Sequence, residues 1–456
     1  MNNGARIMAA VLLCLLMALP ALSQAETRKV SVQGLLYDLK HPDPDRREAA
    51  ARLLGSNKIR QAVPDLVTAA ADPEEKVRLA VVTALEEIRD PQALPAYVAL
   101  MSDSSATIRG KAIDGLVQLY VLDEQGFIAG SKKVLNFLNP FDSNYNALLV
   151  EPYVAVAPEG VTALAARLDD SDYDVRKAAV MALGILRGQT ALPRMMEVLP
   201  SEPENTIKVE FLRSFFKIGG AAACSAIVPL VNDPDKSVHD EAILTAGLLR
   251  CLEAAAPIAE LYESGIKERR TVLGVVPASS KDDLQIKCLQ SLALIAHPDS
   301  EKLFLPALRH VNESYRVAAA DGLARLANPA HLPQVEEQRK AAKGRPFQLA
   351  LAFAAYRMGQ KEQLREVVDE LDSSRYGDQV FGYLVELRPD ALVDLYPYLR
   401  GEKGKTRIRL LDILGLAGTG LQLQEIQQYT HDSDADVASA ALQAIRRIQA
   451  RDAAVR

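Results

Sequence analysis

One helical-hairpin pattern recurs about twelve times along this chain at spacings near 31 residues, and a period of that size dictates a stack of supersecondary units. No single unit can bury its own apolar face, so each depends on a neighbour on either side. In the clearest copies an Asp stands six residues before a basic anchor: Asp72/Arg78, Asp103/Arg109, Asp170/Arg176 and Asp233/His239. Asp432 keeps the acid, while Ala438 has lost the base. The full set of anchors reads Arg47, Arg78, Arg109, Arg176, Lys208, His239, Lys287, Arg316, Gln348, Gln379, Arg407 and Ala438. Two gaps are long, 109 to 176 and 239 to 287, and these mark insertions. The copies anchored at Gln348 and Gln379 fit the pattern poorly, with Glu386 where an aliphatic residue is expected.

Within one copy, an apolar helix over 62–70 meets a turn at Asp72 and Pro73, and a second helix starts near Glu75. Asp before that helix is placed to cap free backbone amides and complement the helix dipole, and Pro at the next position suits a first helical turn. Ala80, Val81, Ala84 and Leu85 then share one helical face, as do Ala178, Ala179, Ala182 and Leu183. Small residues on that face let neighbouring helices approach closely.

The stretches DPEEKVRLAVVTALEEI, DSDYDVRKAAVMALGIL and DSDADVASAALQAIRRI resemble HEAT repeats, particularly the short variety also found in phycobilisome-lyase-like proteins. The resemblance spans nearly all of residues 30–450. It implies an all-α fold, a right-handed α-α superhelix of about twelve helical hairpins, and it implies that the Asp and Arg of each copy form a structural ladder between turns. It says little about activity, because the family is dominated by binding scaffolds with few enzymes.

The amino terminus carries a different signal. Arg6, an apolar run from Ile7 to Leu19, the helix breaker Pro20 and the small residues Ser23 and Ala25 read as a secretory signal peptide over 1–25, cleaved before Glu26. Thirteen apolar residues are too few for a comfortable membrane span, and Cys14 follows Leu13 rather than a small residue, unlike a lipoprotein acceptor. The expected mature chain, 26–456, is therefore a HEAT-like solenoid with insertions near 119–158 and 262–283, exported and most plausibly periplasmic, with an extracellular location as the alternative. The full chain's net charge of −6, which losing Arg6 takes to −7, gives no reason to expect nucleic acid, and no other stretch approaches transmembrane length. With 49% hydrophobic but only 5% aromatic residues, the core must be built from Ala, Leu and Val.

Three cysteines remain after such processing: Cys224, Cys251 and Cys288. Cys224 falls near the start of a first helix and Cys251 near the end of its partner, about six residues apart in axial level. At about 1.5 Å per residue plus an interhelical gap of about 9 Å, that separation predicts buried free thiols rather than a bridge.

Nothing in the sequence assembles a reaction centre. None of the six histidines precedes Glu as in the HEAT-like hydroxylases, and His239-Asp240 and His431-Asp432 lie six repeats apart, too far to share a metal. His41 and His297 precede prolines and read as turn residues. No Gly-rich phosphate loop, Gly-x-Ser-x-Gly elbow or HExxH motif occurs, and Met195-Met196 reads as core. No catalytic residue, metal or cofactor is expected. The bilin lyases that share the repeat grammar hold a chromophore beside a cysteine of a cytoplasmic antenna protein, and export argues against that role.

Binding surfaces in solenoids concentrate where the repeat is interrupted. Residues 120–153 hold six of the 24 aromatics: Tyr120, Phe127, Phe137, Phe141, Tyr145 and Tyr153. Phe127, Phe137, Phe141, Tyr145 and Tyr153 are the candidate binding residues, either as anchors for a protein partner or as a plug over a disturbed solenoid edge. The insertion near 262–283 fits a lid or, more simply, a lengthened helix and loop. Lys403, Lys405, Arg407 and Arg409 offer a weaker anion-binding candidate beside Glu402. Tyr376, Phe381, Tyr383, Tyr396 and Tyr398 form a second aromatic region, either surface or distorted core. The combined expectation is a non-catalytic, protein-binding scaffold or adaptor of the cell envelope. The alternative is an envelope enzyme or regulatory subunit of the HEAT-like lyase type.

Overall fold

The computed structural model describes residues 31–121, 149–271 and 280–454. The signal-peptide reading, Phe127, Phe137, Phe141 and Tyr145 all lie outside them. The described residues form two compact units, within Met1–Ala96 and Tyr97–Arg456. Both are built from helix pairs, with no strand among the described residues.

The first helix of each pair is usually short. In order they are α1 (Val32–Asp38), α3 (Val63–Ala69), α5 (Leu94–Leu100), α7 (Pro158–Ala165), α9 (Leu192–Val198), α11 (Cys224–Ile227), α13 (Ala255–Thr271), α15 (Glu301–Ala307), α17 (Leu332–Ala341), α19 (Leu364–Val368), α21 (Tyr396–Gly401) and α23 (Leu423–Gln427). Most follow a tight 3-10 turn, and Pro64, Pro193 and Pro333 sit in first turns, where the N–H that proline lacks would have no intrahelical partner. The second helices are α2 (Pro44–Ser56), α4 (Glu75–Ile88), α6 (Ala106–Tyr120), α8 (Tyr173–Ile185), α10 (Asn205–Ile218), α12 (Lys236–Leu248), α14 (Ser280–Ile295), α16 (Glu313–Leu326), α18 (Arg345–Arg357), α20 (Gly377–Val385), α22 (Gly404–Ala417) and α24 (Ala435–Ala454). The twelve pairs make the fold an all-α, HEAT-type solenoid. The α13 helix runs 17 residues, so much of the 262–283 insertion is a lengthened first helix.

Ten of the twelve anchors fall on the fourth residue of a second helix, where one side chain can reach the turn before it and the acid of the next copy. Arg47 donates through Nη1 to the His41 and Pro42 carbonyls, and through Nε and Nη2 to Asp72 at 2.6 and 2.9 Å. Arg109 holds Asp170 in the same way at 2.8 and 2.6 Å, although 61 residues separate them. The ladder therefore passes straight across the first insertion. At Arg176 the acid is Glu202, at 3.1 and 3.3 Å.

The Asp has a second task, though not the one its spacing suggested. Asp72, Asp103 and Asp170 each accept the amide two residues on, within the turn, at 2.9 to 3.0 Å. The helix cap comes at that later residue, as at Asp172, which accepts the amides of Asp174 and Val175. Pro73 accordingly lies in the turn and not in the helix.

Two anchors need correction. Burial along α14 repeats that of its neighbours only if the anchor is Gln285 instead of Lys287, and α20 fits from Gly377 instead of Gln379. An independent signal agrees. The residue eleven places after an anchor adopts left-handed backbone at Lys58, Arg89, Arg187, Arg250 and Ala327, with φ of 50° to 55°, and Ala296 at 54° is eleven after Gln285. The corrected register also orders the close contacts: a Cβ built on Gly55, Gly184, Gly247 or Gly415, each eight after an anchor, would strike Ala84, Ser214, Ser291 or Ala444, each six after the next anchor. Those glycines let consecutive second helices touch backbone to side chain.

The cysteines also need correction. Cys224 and Cys251 form a disulfide with a Cα separation of 5.4 Å, and only Cys288 is free. Cys251 does not end α12. The left-handed turn at Arg250 has already carried the chain to the start of the next first helix, level with Cys224 at the start of its own.

Candidate functional site

The chain re-enters the described structure at residue 149 as a strap running to Ala157, the last part of the first insertion, just before α7. Each end of this strap is tied. The Val150 amide donates to the Ile185 carbonyl at the end of α8 at 2.9 Å, and Arg187 Nε donates to the Val150 carbonyl at 3.0 Å. At the far end the Ala157 amide donates to the Tyr120 hydroxyl of α6 at 3.0 Å. Between these ties, Glu151 accepts from Arg447 of α24 through both carboxylate oxygens, at 3.0 and 2.8 Å. The Arg447 side chain is 2% exposed and Glu151 9%, and Arg447 also reaches Asp412 of α22 at 3.2 Å. A bidentate pair this deep fixes both position and direction of the strap.

Beside that pair lies a cleft of about 590 Å³, with Pro152, Tyr153, Val154 and Ala155 on one wall and Arg446, Gln449 and Ala450 on the other. Burial and the adjacent Glu151 carboxylate push the Tyr153 hydroxyl up to about 12 against the opposing pull of Arg447 and Arg446, so it stays protonated at neutral pH. Arg446 and Gln449 are exposed on the last helix. The cleft thus offers an aromatic face, a neutral hydroxyl, one cation and an amide. That is recognition chemistry, with no nucleophile or base poised in it.

Of the five candidate binding aromatics, Tyr153 is described, and it lines this cleft. Glu151, Arg446, Arg447 and Gln449 carried no sequence signal of binding. The one available hint was that the final copy lost its basic anchor and acquired Arg446, Arg447 and Arg451 further along. Among the proposed anion-binding residues, Lys405 pairs with Asp372 at 2.6 Å, Arg407 with Asp432 at 3.1 Å and Arg409 with Asp378. Lys403 precedes α22 as its N-cap residue. In the second aromatic region Phe381 and Tyr383 are buried, and Tyr383 stacks on Phe353 with centroids 4.6 Å apart.

Elsewhere, burial raises the Cys288 thiol to about 12, which keeps it from acting as a thiolate. Asp240 is hydrogen-bonded by His239 and lies 2.8 Å from Lys287, an ion-pair cluster rather than a ligand set. Among the described residues no group of three or more His, Cys, Asp or Glu side chains is placed to hold a metal ion.

A family profile for HEAT repeats matches residues 32–117 and 154–215, one segment on each side of the insertion. Those two segments carry HEAT repeats. The chain is similar to an uncharacterized phycocyanin operon protein Z of Pseudanabaena tenuis (strain PCC 7409), 20% identical over 221 residues that cover 48% of this chain and 95% of that protein. Among solved structures, an engineered protein is 17% identical, covering 92% of this chain and 98% of that one, with a TM-score of 0.40. The complex of CpcE and CpcF of phycocyanin lyase from Nostoc sp. PCC7120 is 14% identical, covering 73% of this chain and 96% of that one, with a TM-score of 0.27. No helix among the described residues is long and apolar enough to cross a membrane.

Proposed function

We propose that this HEAT-repeat chain is a non-catalytic scaffold of the cell envelope that binds a protein partner at the strap cleft and the adjoining aromatic insertion. The buried Glu151–Arg447 pair carries this reading. It fixes the strap in advance, so a partner meets a preformed surface and loses little backbone freedom of the scaffold on docking. Tyr153 supplies the kind of anchor that dominates interface energy, next to an insertion rich in the same residue type.

Export is supported by the leader-like first 25 residues and by the Cys224–Cys251 disulfide, which persists in oxidising compartments and is rare in the cytosol. A periplasmic site satisfies both. The resemblance of the repeats to those of phycobilisome-lyase-like proteins supports a second reading, a lyase-like subunit, which requires a chromophore-bearing partner.

A photo-cross-linking residue at position 153, compared with one at the exposed Leu252, tests the scaffold reading in a native envelope extract. The expected outcome is a discrete protein adduct from position 153 alone. Adducts from neither position, or equally from both, contradict it, and an adduct carrying a tetrapyrrole favours the lyase-like reading.

A further inference from the structure

The residue nine places after each anchor faces the same end of every second helix, and in three consecutive copies it is Arg325, Arg357 and Glu386. Arg325 of α16 donates through Nε and Nη2 to the two carboxylate oxygens of Glu386, just beyond α20, at 2.7 and 2.8 Å. Arg250, the left-handed residue after α12, approaches the same carboxylate at 3.6 Å. Four repeats separate Arg250 from Glu386, so this end of the row is drawn together.

Arg357, on the helix between, has no carboxylate of its own. Its guanidinium lies 5.9 Å over the Phe353 ring and makes no ion pair or hydrogen bond among the described residues. Burial, opposed by Glu386 and Tyr356 and reinforced by Arg325 and Arg250, pulls it below the ordinary arginine range. Glu386 takes one Arg325 bond on each oxygen and none from Arg357. Three guanidinium groups therefore surround one ionised glutamate, with Asp321 as the other acid of the cluster, held by the Tyr383 hydroxyl at 2.8 Å. Even with Asp321 ionised, one positive charge is left over. Arg250 is 55% exposed, so the group opens to solvent on that side.

We propose that Arg250 and Arg357, with Arg325 holding Glu386 between them, form a binding site for a carboxylate group supplied by a small organic acid or by an acidic peptide. A half-buried guanidinium fork without a partner is costly, and a planar carboxylate satisfies it through two parallel hydrogen bonds. A carboxylate also neutralises the single surplus charge. A phosphate dianion exceeds that charge. The residues lie on helices other than those of the strap cleft, so the site stands or fails independently of it.

Asp321 gives the site a pH dependence. Burial pushes its carboxyl up to about 6 against the pull of Arg325 and the Tyr383 hydrogen bond, with Glu386 adding to the rise. Below that pH Asp321 is neutral and the surplus positive charge grows, so carboxylate binding tightens on acidification.

The test is calorimetric titration of the purified chain at pH 5.0 and 7.5 with glutarate, with a tetraglutamate peptide and with inorganic phosphate. The expected result is saturable binding of one carboxylate ligand, stronger at pH 5.0 and weakened about tenfold or more in Arg357→Gln and in Arg250→Gln. Binding of glutarate identifies a small acid as sufficient, and binding of tetraglutamate alone identifies a peptide. Should Arg357→Gln unfold, Arg357→Lys keeps the charge, loses the planar fork and is expected to bind more weakly. No saturable binding of either carboxylate, tighter binding of phosphate, or affinity unchanged in folded Arg357 and Arg250 variants overturns the proposal.

Discussion

Arg447 and Glu151 show what a single pair does in this chain. Arg447 is buried and Glu151 largely covered, and removing either leaves the other as an uncompensated charge. Arg447→Ala and Glu151→Ala are each expected to lower unfolding free energy by roughly 3–5 kcal/mol, read from denaturant midpoints. A loss below about 1 kcal/mol, typical of exposed pairs, would mean the strap is not held this way. The ladder acids make a pH statement. Burial opposes ionisation of Asp72 and Asp170, but the Arg47 and Arg109 forks and a turn amide outweigh it and hold both carboxyls below the usual range. Their folded values lie below the unfolded value of about 3.9, so the native state binds fewer protons. Their stabilisation is complete above that pH and is lost as pH falls through the folded values. A urea series from pH 6 to 2 is expected to show this loss, and Arg109→Met is expected to flatten it. The Arg–Asp ladder was legible because it recurs with the period. The Arg447–Glu151 pair was not, because 296 residues separate its members and no periodicity relates them.

At the scale of elements, the recurring device is the left-handed residue that follows six of the second helices, eleven places after the anchor. Non-glycine residues there pay a steric penalty of about 1–2 kcal/mol, partly offset by chain entropy when Gly replaces them. Ala296→Gly and Ala327→Gly are expected to stabilise the chain by up to about 1 kcal/mol each, measured by thermal or urea unfolding. A destabilisation would contradict the left-handed assignment. The same device defeated the cysteine argument. The axial offset was measured along one hairpin, whereas the turn at Arg250 delivers Cys251 to the adjacent first helix beside Cys224. Reduction, or Cys224→Ala with Cys251→Ala, is expected to cost about 2–4 kcal/mol, and an unchanged stability on adding reductant would contradict the bond. Registers at Lys287 and Gln379 were misread for a related reason. Their true anchors, Gln285 and Gly377, carry no charge, so the most visible feature of the repeat was missing where it was needed.

At the scale of the whole molecule, period and composition made the all-α repeat architecture readable, since twelve copies average out the weak ones. Function was less readable because it sits where the repeat fails: a strap of nine residues, a last helix without its basic anchor, and a position nine places along that changes from apolar to charged only in some copies. Tyr153 was found through aromatic enrichment, while the residues facing it across the cleft were not, because Arg446 and Gln449 on a solvated helix look like ordinary surface. The central claim is that the strap and its insertion bind a protein. The most direct measurement is capture from the native envelope fraction by the chain from residue 26 onward, comparing wild type with a Phe137→Ala/Phe141→Ala/Tyr153→Ala variant whose helicity is verified by circular dichroism. The account expects a defined partner retained by wild type and lost by the folded variant. A partner retained equally by both, or none captured by wild type, would contradict it.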